Sequence, residues 1–466
     1  MSIGLPQSSR TLNWDVIVVG SGLAGLAAGL EASGAGVKTL MLEKTDEASC
    51  GGNSRLAGGA IAVPRGSDAV SIGNYVEDFM AKAGGRCNRA IVETLANNAL
   101  ADLDWMGSLG ADFDPSTPNL PYRVDAAHVS PAQFLGMPLM LRALRSRFVS
   151  MGGHVAFETK ARQLILNEKG NVCGVRVIDR TGVVDHLADA VVIATGGYTG
   201  NRELLESFVD PNAGGMSVRG VHWATGDGLL MAREIGAGLT HMGGLASLHV
   251  AAVHPTQPAQ GIPDRSVPYC VSINLEGRRF HDEAQGYVAN GKAILKQPGQ
   301  RIALVFDEVI SKEHRLGISI ATYKRLGIPL IEANSLEDLA TQMGMPVPQF
   351  EQTIAEYNAA ISNQQALSVS PPKTALALPI QSPKFYAFFP LIPGVTSCFG
   401  GVLTDERSRA CEADGRIIHG LFVAGEAMGG VFYDDYIGGS ALANCIVMGR
   451  VAGKEATRRA IDKGLG

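Results

Sequence analysis

A run of phenols and carboxylates precedes a nearly bare backbone at residues Phe432 to Cys445, which read FYDDYIGGSALANC. Tyr433 and Tyr436 are side chains that can donate a hydrogen bond or exchange a proton. Asp434 and Asp435 are interpreted as a solvated or capping pair, because acids suit the start of a helix. The Gly-Gly-Ser that follows lets backbone amides approach a ligand closely. This stretch is therefore a candidate catalytic loop, and other elements must position it.

The first of those elements is a nucleotide-binding turn between Asp15 and Lys44, DVIVVGSGLAGLAAGLEASGAGVKTLMLEK. A β-branched strand leads into Gly20, Gly22 and Gly25, and an Ala/Leu-rich helix follows. A second strand ends at Glu43, near the spacing expected of an acid that binds the nucleotide ribose. The first glycine makes the tight turn, the second admits the pyrophosphate, and the third lets helix and strand pack. The segment predicts dinucleotide binding.

Three later glycine-rich turns indicate which dinucleotide is bound. Glycine accounts for 57 residues, roughly 12% against the usual 7%. The turns are SCGGNSRLAGGAIAV from Ser49, DAVVIATGG from Asp189 and GLFVAGEAMGG from Gly420. Strand-to-glycine turns spread along the whole chain suit an elongated ligand that the protein contacts along its length, so FAD fits better than NAD. A second G-x-G-x-x-G after a strand is missing from the sequence, which makes a separate nicotinamide site improbable.

These motifs in order resemble the flavoprotein family of fumarate reductase and succinate dehydrogenase. The resemblance rests on the N-terminal fingerprint, GGNSRLAGG, ATGG, TGDG, HPT, EGRRF, FGGVLTD, AGE and GRVAG. It implies an α/β fold with a Rossmann-like FAD-binding domain built from both chain ends, residues 1–244 and 385–466. A smaller α+β capping domain, residues 245–384, is expected to interrupt it and to cover the flavin.

The resemblance also implies how FAD is held and how electrons leave. No histidine lies between Lys44 and Gly66, where membrane-bound relatives carry a covalent link, so FAD is expected to bind noncovalently. No haem module is attached, so a separate acceptor (oxygen, a quinone or a carrier protein) is expected. The expected FAD-binding residues are Gly20, Ser21, Gly22, Leu23, Ala24, Glu43, Lys44, Gly51, Gly52, Asn53, Ser54, Gly58, Gly59, Ala161, Thr195, Gly196, Gly197, Asp227, Glu426, Ser440, Ala441 and Leu442.

The substrate side departs from the fumarate reductases, which need cationic groups for two carboxylates and an arginine that delivers a proton. The position of that arginine is Tyr287 here, within RRFHDEAQGYVANGKAIL. The two histidines of the family stretch HHTMGG are Thr396 and Ser397, and the carboxylate-binding arginine of NRLGGN is Tyr436. His254 of the HPT triplet is what remains of the carboxylate site.

The phenols resemble another branch of the superfamily, the 3-ketosteroid dehydrogenases and related oxo-cyclohexane desaturases. In that branch a tyrosine after R-F-x-N-E is the base and a tyrosine before a glycine-rich turn holds the ketone. Tyr287 and Tyr436 take these catalytic roles here, although the usual YPGPG is YIGGS. The expected reaction introduces a C=C bond beside the carbonyl of a cyclic ketone or oxo acid, and the short chain favours a small ring. The expected substrate-binding residues are His254, Gly439, Ser440, Tyr433 and Ser397.

Other interpretations stay open at this point. The chain can instead be a carboxylate reductase or dehydrogenase of the fumarate or tricarballylate kind, using His254 and a relocated arginine such as Arg265. A third class is a flavin-bearing electron carrier or redox sensor, against which the capping insertion argues. Taken without the resemblance, Tyr287 and Tyr436 are packing residues with satisfied hydroxyls, and Tyr433 is equally suited to the core.

Composition excludes several other functions. The net charge is −5 and no basic run stands out, so a nucleic-acid partner is not expected. Seven scattered cysteines without C-x-x-C indicate free thiols and neither a disulfide framework nor a metal site. The start of the sequence lacks a signal pattern, and no apolar run reaches the ~18 residues of a membrane span. A cytoplasmic enzyme without a membrane span is therefore expected.

Overall fold

The computed structural model describes residues 10–114, 124–129, 133–253, 262–433 and 435–464. The chain divides into two compact units. The first comprises Met1–Asn201, Val221–Leu245 and Ser397–Gly466, and the second comprises Arg202–Gly220 and Ala246–Thr396. The division into an FAD-binding and a capping domain at residues 245 and 384 stays a prediction about what these parts do.

The described residues form eleven α-helices. They are α1 (Leu23–Gly34), α2 (Ala69–Lys82), α3 (Arg89–Ser108), α4 (Gln133–Ser150), α5 (Arg202–Phe208), α6 (Asp227–Glu234), α7 (Tyr287–Ile294), α8 (His314–Leu326), α9 (Leu336–Met343), α10 (Val347–Ala359) and α11 (Ser440–Gly464).

The strands of the same residues are β1 (Thr11–Asn13), β2 (Val16–Val19), β3 (Thr39–Leu42), β4 (Ala60–Pro64), β5 (Phe113–Asp114), β6 (Val124–Val129), β7 (His154–Ala156), β8 (Lys160–Leu166), β9 (Val172–Asp179), β10 (Gly182–Leu187), β11 (Ala190–Ile193), β12 (Ser217–Val218), β13 (Leu239–Thr240), β14 (Leu245–Ala252), β15 (Val271–Asn274), β16 (Ile302–Asp307), β17 (Ile331–Ala333), β18 (Phe385–Cys398), β19 (Gly401–Val402), β20 (Arg409–Cys411) and β21 (Ile417–Val423).

The first unit is built on a six-stranded sheet in the order β20-β21-β11-β2-β3-β7. All neighbours in it run parallel except β20, which is antiparallel to β21. Strands β2, β3 and β11 are buried along their whole length, which explains their continuous Val/Ile/Leu runs. Because β21 comes from the far end of the chain and β2 from the near end, the predicted α/β fold built from both chain ends is confirmed.

Helix α1 packs against α11 through glycine and alanine. A Cβ atom on Gly449 would lie 2.9 Å from the Cβ of Ala27, and one on Gly453 would lie 2.9 Å from the Cα of Ala28. These distances are shorter than van der Waals contact, so only glycine lets the two helix backbones approach so closely. The sequence GRVAG is thereby explained as a helix-packing motif.

The second unit has its own sheet, in the order β12-β18-β16-β15, with β14 and β17 also paired to β18. Strand β16 is buried at all six positions. Its residues pack with α8, α9 and α10 in one hydrophobic core that includes Phe306, Phe350 and Phe388. The pairing of β12 with β18 brings Arg202–Gly220 into this unit, although this segment lies between two stretches of the first.

Candidate active site

The first glycine turn of the first unit has the backbone geometry that its sequence requires. Gly20 follows β2 with φ of +109°, and a side chain there would collide with Ala194. A Cβ on Gly25 would collide with the carbonyl of Gly20. Gly22 is the N-cap of α1 in extended conformation, and a Cβ there would have its nearest neighbours at 3.6 Å. The turn therefore leads directly into a helix N-terminus, the kind of position at which a diphosphate group binds well.

The carboxylate of Glu43 is held at the end of β3. One of its oxygens accepts hydrogen bonds from the backbone N–H of Ser21, at 3.3 Å, and from the Ser21 hydroxyl. The other accepts from the N–H and the hydroxyl of Thr45, both at 2.9 Å. Glu43 is thus fixed against the glycine turn in the place where a ribose-binding acid is expected.

Lys44 and Asp227, both expected to bind FAD, bind one another. The Lys44 ammonium lies 2.6 Å from the Asp227 carboxylate, and Lys160 lies 3.3 Å from it. Burial disfavours the charged form of Asp227, but the two ammonium groups outweigh it and lower the pKa of this carboxyl group. The pair ties the start of α6 to the strand that carries Glu43.

Glu426 is a half-buried carboxylate that joins the three later glycine turns. It accepts a hydrogen bond from the side-chain amide of Asn53 at 3.1 Å and from the N–H of Cys398 at 2.9 Å. A Cβ on Gly197 would lie 2.9 Å from its carboxyl carbon. Burial raises the pKa of Glu426 to about 7, against hydrogen bonds that lower it. Asn53 in turn accepts from the N–H of Val221 at 2.8 Å.

The residues around these turns fit an FAD molecule. Thr195 and Asn444 each have a buried side-chain oxygen without a hydrogen-bond partner in the described part of the chain. A Cβ added at Gly52 or Gly58 would meet no atom within 4 Å, so the backbone there faces open space. Buried acceptors and donors of this kind are expected where a polar ligand completes the structure. The chemistry of the first unit is consistent with a bound dinucleotide.

The tyrosine loop, described at residues 430–433 and 435–437, packs against aromatic rings. The ring of Tyr436 meets Phe399 and Phe432 edge-on at centroid distances of 5.9 and 6.0 Å. Tyr433 has the Arg86 guanidinium over its face, 3.4 Å from the ring centroid, and His241 at its edge, at 5.0 Å. The two phenols therefore have different surroundings: the ring of Tyr436 is flanked by apolar rings and that of Tyr433 by cationic and polar groups.

The residues predicted for substrate binding are placed as follows. Gly439 has φ of +90° and directly precedes α11, where a Cβ would lie 2.9 Å from the backbone nitrogen of Ala62. The Ser440 hydroxyl, at the first position of α11, donates to the carbonyl of Ile437 at 2.6 Å. Ser397 is half-buried at the end of β18. His254 lies outside the described residues.

Tyr287 lies in the second unit, at the first position of α7. Gly286 precedes it with φ of +86°, a conformation that favours glycine. Tyr287 is half-buried and packs against the core of its unit. Its orientation follows from the turn made by the preceding motif, which reads RRFHDEAQG.

That turn is held by an ionic network that the sequence analysis did not find. Glu283 is fully buried and accepts from Arg279 at 2.8 Å and from the N–H of Ser272 at 2.8 Å. Lys373 is also fully buried; its ammonium donates to the carbonyl of Cys270 at 2.7 Å and lies 4.0 Å from Glu283. Arg279 reaches the carbonyl of Pro371 at 2.7 Å. The i, i+4 spacing of Arg279 and Glu283 was a usable signal, whereas nothing in the sequence points to Lys373.

Two further arginines near the predicted positions were also missed. Arg86 contacts Tyr433, as described. Arg219, in the second unit, lies 3.5 Å from the hydroxyl of Thr396 and passes across Gly394, where a Cβ would be 3.3 Å from its side chain. Arg265, the arginine proposed for carboxylate binding, is exposed in the 3-10 helix Asp264–Tyr269.

Comparisons with known proteins identify the family of the chain. The chain matches the FAD binding domain family over residues 15–441. It is 32% identical over 465 residues to a probable fumarate reductase, Ifc3, of Shewanella frigidimarina (strain NCIMB 400), covering 96% of this chain and 75% of the relative. None of the helices in the described residues has the length and apolar character needed to span a membrane, and the seven cysteines are free.

Two solved structures are similar over nearly the whole chain. The open conformation of a flavocytochrome c3 fumarate reductase has a TM-score of 0.79 and 28% identity, covering 98% of this chain and 79% of that chain. A 3-ketosteroid-Δ4-(5α)-dehydrogenase from Rhodococcus jostii RHA1 has a TM-score of 0.76 and 23% identity, covering 97% and 100%, and this likeness shows the fold alone. The chain is thus a flavin-dependent oxidoreductase that belongs to the family of the fumarate reductase and succinate dehydrogenase flavoproteins.

Proposed function

We propose that the enzyme is an FAD-dependent dehydrogenase that introduces a C=C bond next to the carbonyl of a cyclic ketone or oxo acid. The substrate class is a small oxo-cyclohexane or a ketosteroid. The observation that carries the proposal is the environment of Tyr436, whose ring packs edge-on against the rings of Phe399 and Phe432. A phenol in apolar surroundings suits a neutral carbonyl acceptor, whereas two substrate carboxylates would require cationic groups.

The proposed chemistry divides between the two tyrosines. Tyr436 donates to the carbonyl oxygen, on which negative charge develops as the neighbouring α-proton leaves. Tyr287 takes that proton as the general base. A free phenol has a pKa near 10, so the base requires a nearby cation or amide donors to act at neutral pH. FAD, when bound, accepts the hydride from the β-carbon.

The proposal extends to the cofactor and to the second unit. FAD is held noncovalently by the glycine turns and Glu43, and acid precipitation should leave all flavin in the supernatant. The second unit, which carries Tyr287, acts as the cap. Electrons pass to a separate acceptor, which is oxygen, a quinone or a carrier protein. The cytoplasmic location expected from the sequence stays a prediction.

A second candidate is a carboxylate reductase or dehydrogenase of the fumarate or tricarballylate kind. Arg219 favours it, because its guanidinium lies 3.5 Å from the hydroxyl of Thr396. Thr396 stands where the family carries a histidine, so Arg219 would supply a cation at that position. The relative at 32% identity is named a probable fumarate reductase, which also favours this candidate.

The test is an anaerobic spectral titration in both directions. The oxidised enzyme is mixed with cyclohexanone, 4-oxocyclohexane-1-carboxylate or a 3-ketosteroid, and dithionite-reduced enzyme is mixed with fumarate. Flavin bleaching by a ketone, lost in Tyr436→Phe and retained in Arg219→Ala, is the expected result. Reoxidation by fumarate alone, lost in Arg219→Ala, would replace the proposal by the second candidate. Absence of any response would favour an electron carrier.

A further inference from the structure

The tyrosine loop is attached to the connection between α2 and α3, within the first unit. The N–H of Asn88, the N-cap of α3, donates to the carbonyl of Gly430 at 2.7 Å. Phe79, which is 2% exposed on α2, stacks on Phe432 with a centroid distance of 5.7 Å. Both contacts place the base of the loop against elements that lie about 350 residues earlier in the chain.

The middle of the loop is anchored by Tyr433. Its ring face is covered by the guanidinium of Arg86, at 3.4 Å, and its edge by His241. The Nδ1 atom of His241 is also 2.8 Å from the carbonyl oxygen of Phe432. With a guanidinium over its face and an imidazole ring beside it, Tyr433 anchors the middle of the loop.

The carboxylate of Asp435 connects α2 to the backbone of Tyr436. One Asp435 oxygen accepts a hydrogen bond from the N–H of Tyr436 at 2.8 Å. The other is 2.6 Å from the ammonium of Lys82, at the last position of α2. Since the Lys82 and Asp435 side chains are 27% and 32% exposed, water screens this pair only partly. The backbone N–H of Tyr436 is therefore held through a charge-assisted link.

We infer that Arg86 is a positioning residue, which acts with Lys82 to orient the phenol of Tyr436 through Tyr433 and Asp435. This inference rests on the proposed function, in which that phenol binds a carbonyl oxygen. Arg86 itself contacts the ring of Tyr433, and we propose no contact between Arg86 and the substrate. A small rotation of the loop would displace the Tyr436 hydroxyl from the direction of the carbonyl, and displacements of about 1 Å reduce turnover strongly.

The test compares Arg86→Met with Arg89→Met in the FAD-loaded enzyme. Arg89 lies on the same segment and pairs with Glu77 at the surface, so it controls for loss of an arginine. The substrate is whichever of cyclohexanone and 4-oxocyclohexane-1-carboxylate bleaches the flavin faster. We expect Arg86→Met to lower kcat about 10-fold with little change in KM, and Arg89→Met to change neither. Arg86→Lys, which keeps the charge but not the planar stack, should fall between them.

A double-mutant cycle separates positioning from general damage. In a Tyr436→Phe background, Arg86→Met should cause no further loss of kcat, because it acts through the hydroxyl already removed. Equal losses in both backgrounds would overturn the inference. Amide hydrogen exchange of residues 431–437 gives a readout independent of turnover, and it should accelerate in Arg86→Met but not in Arg89→Met.

Different results would contradict the proposed function and the positioning role of Arg86. If Tyr436→Phe keeps full activity, the proposed function is wrong, and hydrogen exchange alone then decides whether Arg86 holds the loop. If Tyr436→Phe is impaired but Arg86→Met matches Arg89→Met in kcat and in exchange, the proposed function stands and the positioning role is wrong.

Discussion

Two glutamates, one half-buried in the first unit and one fully buried in the second, stabilise loops with different partners. Glu426 of the first unit accepts from neutral N–H donors of Asn53 and Cys398, and burial raises its pKa to about 7. Glu283 of the second unit faces Arg279 and the buried Lys373. Burial lowers the pKa of the Lys373 ammonium group, and the negative charge of Glu283 opposes this change.

The difference in partners determines how each carboxylate holds its loop. A carboxylate with neutral partners can take up a proton near neutral pH at little structural cost. The Glu283 carboxylate lies between two buried basic groups, Arg279 and Lys373, and its removal would leave them without a counter-charge in a dry interior. The glycine turns of the first unit are therefore joined by a carboxyl group with neutral donors, and the turn before Tyr287 is held by a buried ionic network.

The variant with the largest expected effect on stability is Glu283→Gln. This change should lower the free energy of unfolding by about 3–5 kcal/mol, because it leaves two buried cations without their counter-charge. The matched control is Glu332→Gln, which removes an exposed pair with Lys384 at 3.9 Å and should cost about 0–1 kcal/mol. Urea unfolding of both variants checks this, and similar losses would contradict the assignment of a dry ionic network.

The phenol supported by that network is expected to matter most for turnover. Tyr287→Phe should reduce kcat by about 10² to 10⁴, the usual loss for a general acid–base group, with unchanged FAD content. Steady-state kinetics on the best ketone measures this effect. Full activity of the variant, together with inactivity of His254→Ala or Arg265→Ala, would favour the dicarboxylate substrate instead.

The phenol of the first unit should have a somewhat smaller effect. Tyr436→Phe is expected to lose about 10² to 10³ in kcat, because backbone donors at the start of α11 would still bind the carbonyl. Tyr386→Phe serves as the matched control, since it removes a phenol hydroxyl that is bonded to Glu308 in the second unit. The interpretation fails if the two variants are equally impaired.

The last expected effect, which is gradual because it is spread over more than two pH units, is the pH dependence due to Glu426. Its folded pKa, about 7, is above the ordinary 4.5, so the folded chain holds a proton that the unfolded chain has released between these values. The stabilisation is complete below pH 4.5 and is lost as the pH rises to 7, by about 1.4 kcal/mol per unit. Glu426→Gln should remove this slope. Unfolding of both proteins at pH 5, 6 and 7 measures it, and parallel slopes would refute the assignment.

The parts of the molecule that could be predicted are those in which function depends on local spacing. Gly20, Gly22 and Gly25 fix one turn within six residues, so the sequence alone indicates the turn and the strand and helix beside it. Arg279 and Pro371 meet across 92 residues, and Lys82 meets Asp435 across a still longer separation. Such pairs depend on how whole elements pack, and no periodicity in one sequence encodes that packing.

The glycine-lined contact between α1 and α11 has a consequence for biosynthesis. Residues 23–34 are translated some 400 residues before residues 440–464. The six-stranded sheet of the first unit is likewise incomplete until β21, residues 417–423, has been translated. The stretch from 246 to 396, in contrast, holds nearly all of the second unit and leaves the ribosome as one piece. The second unit can therefore fold first. The first unit, whose segments lie on both sides of it in the sequence, cannot complete its fold until α11 has been translated.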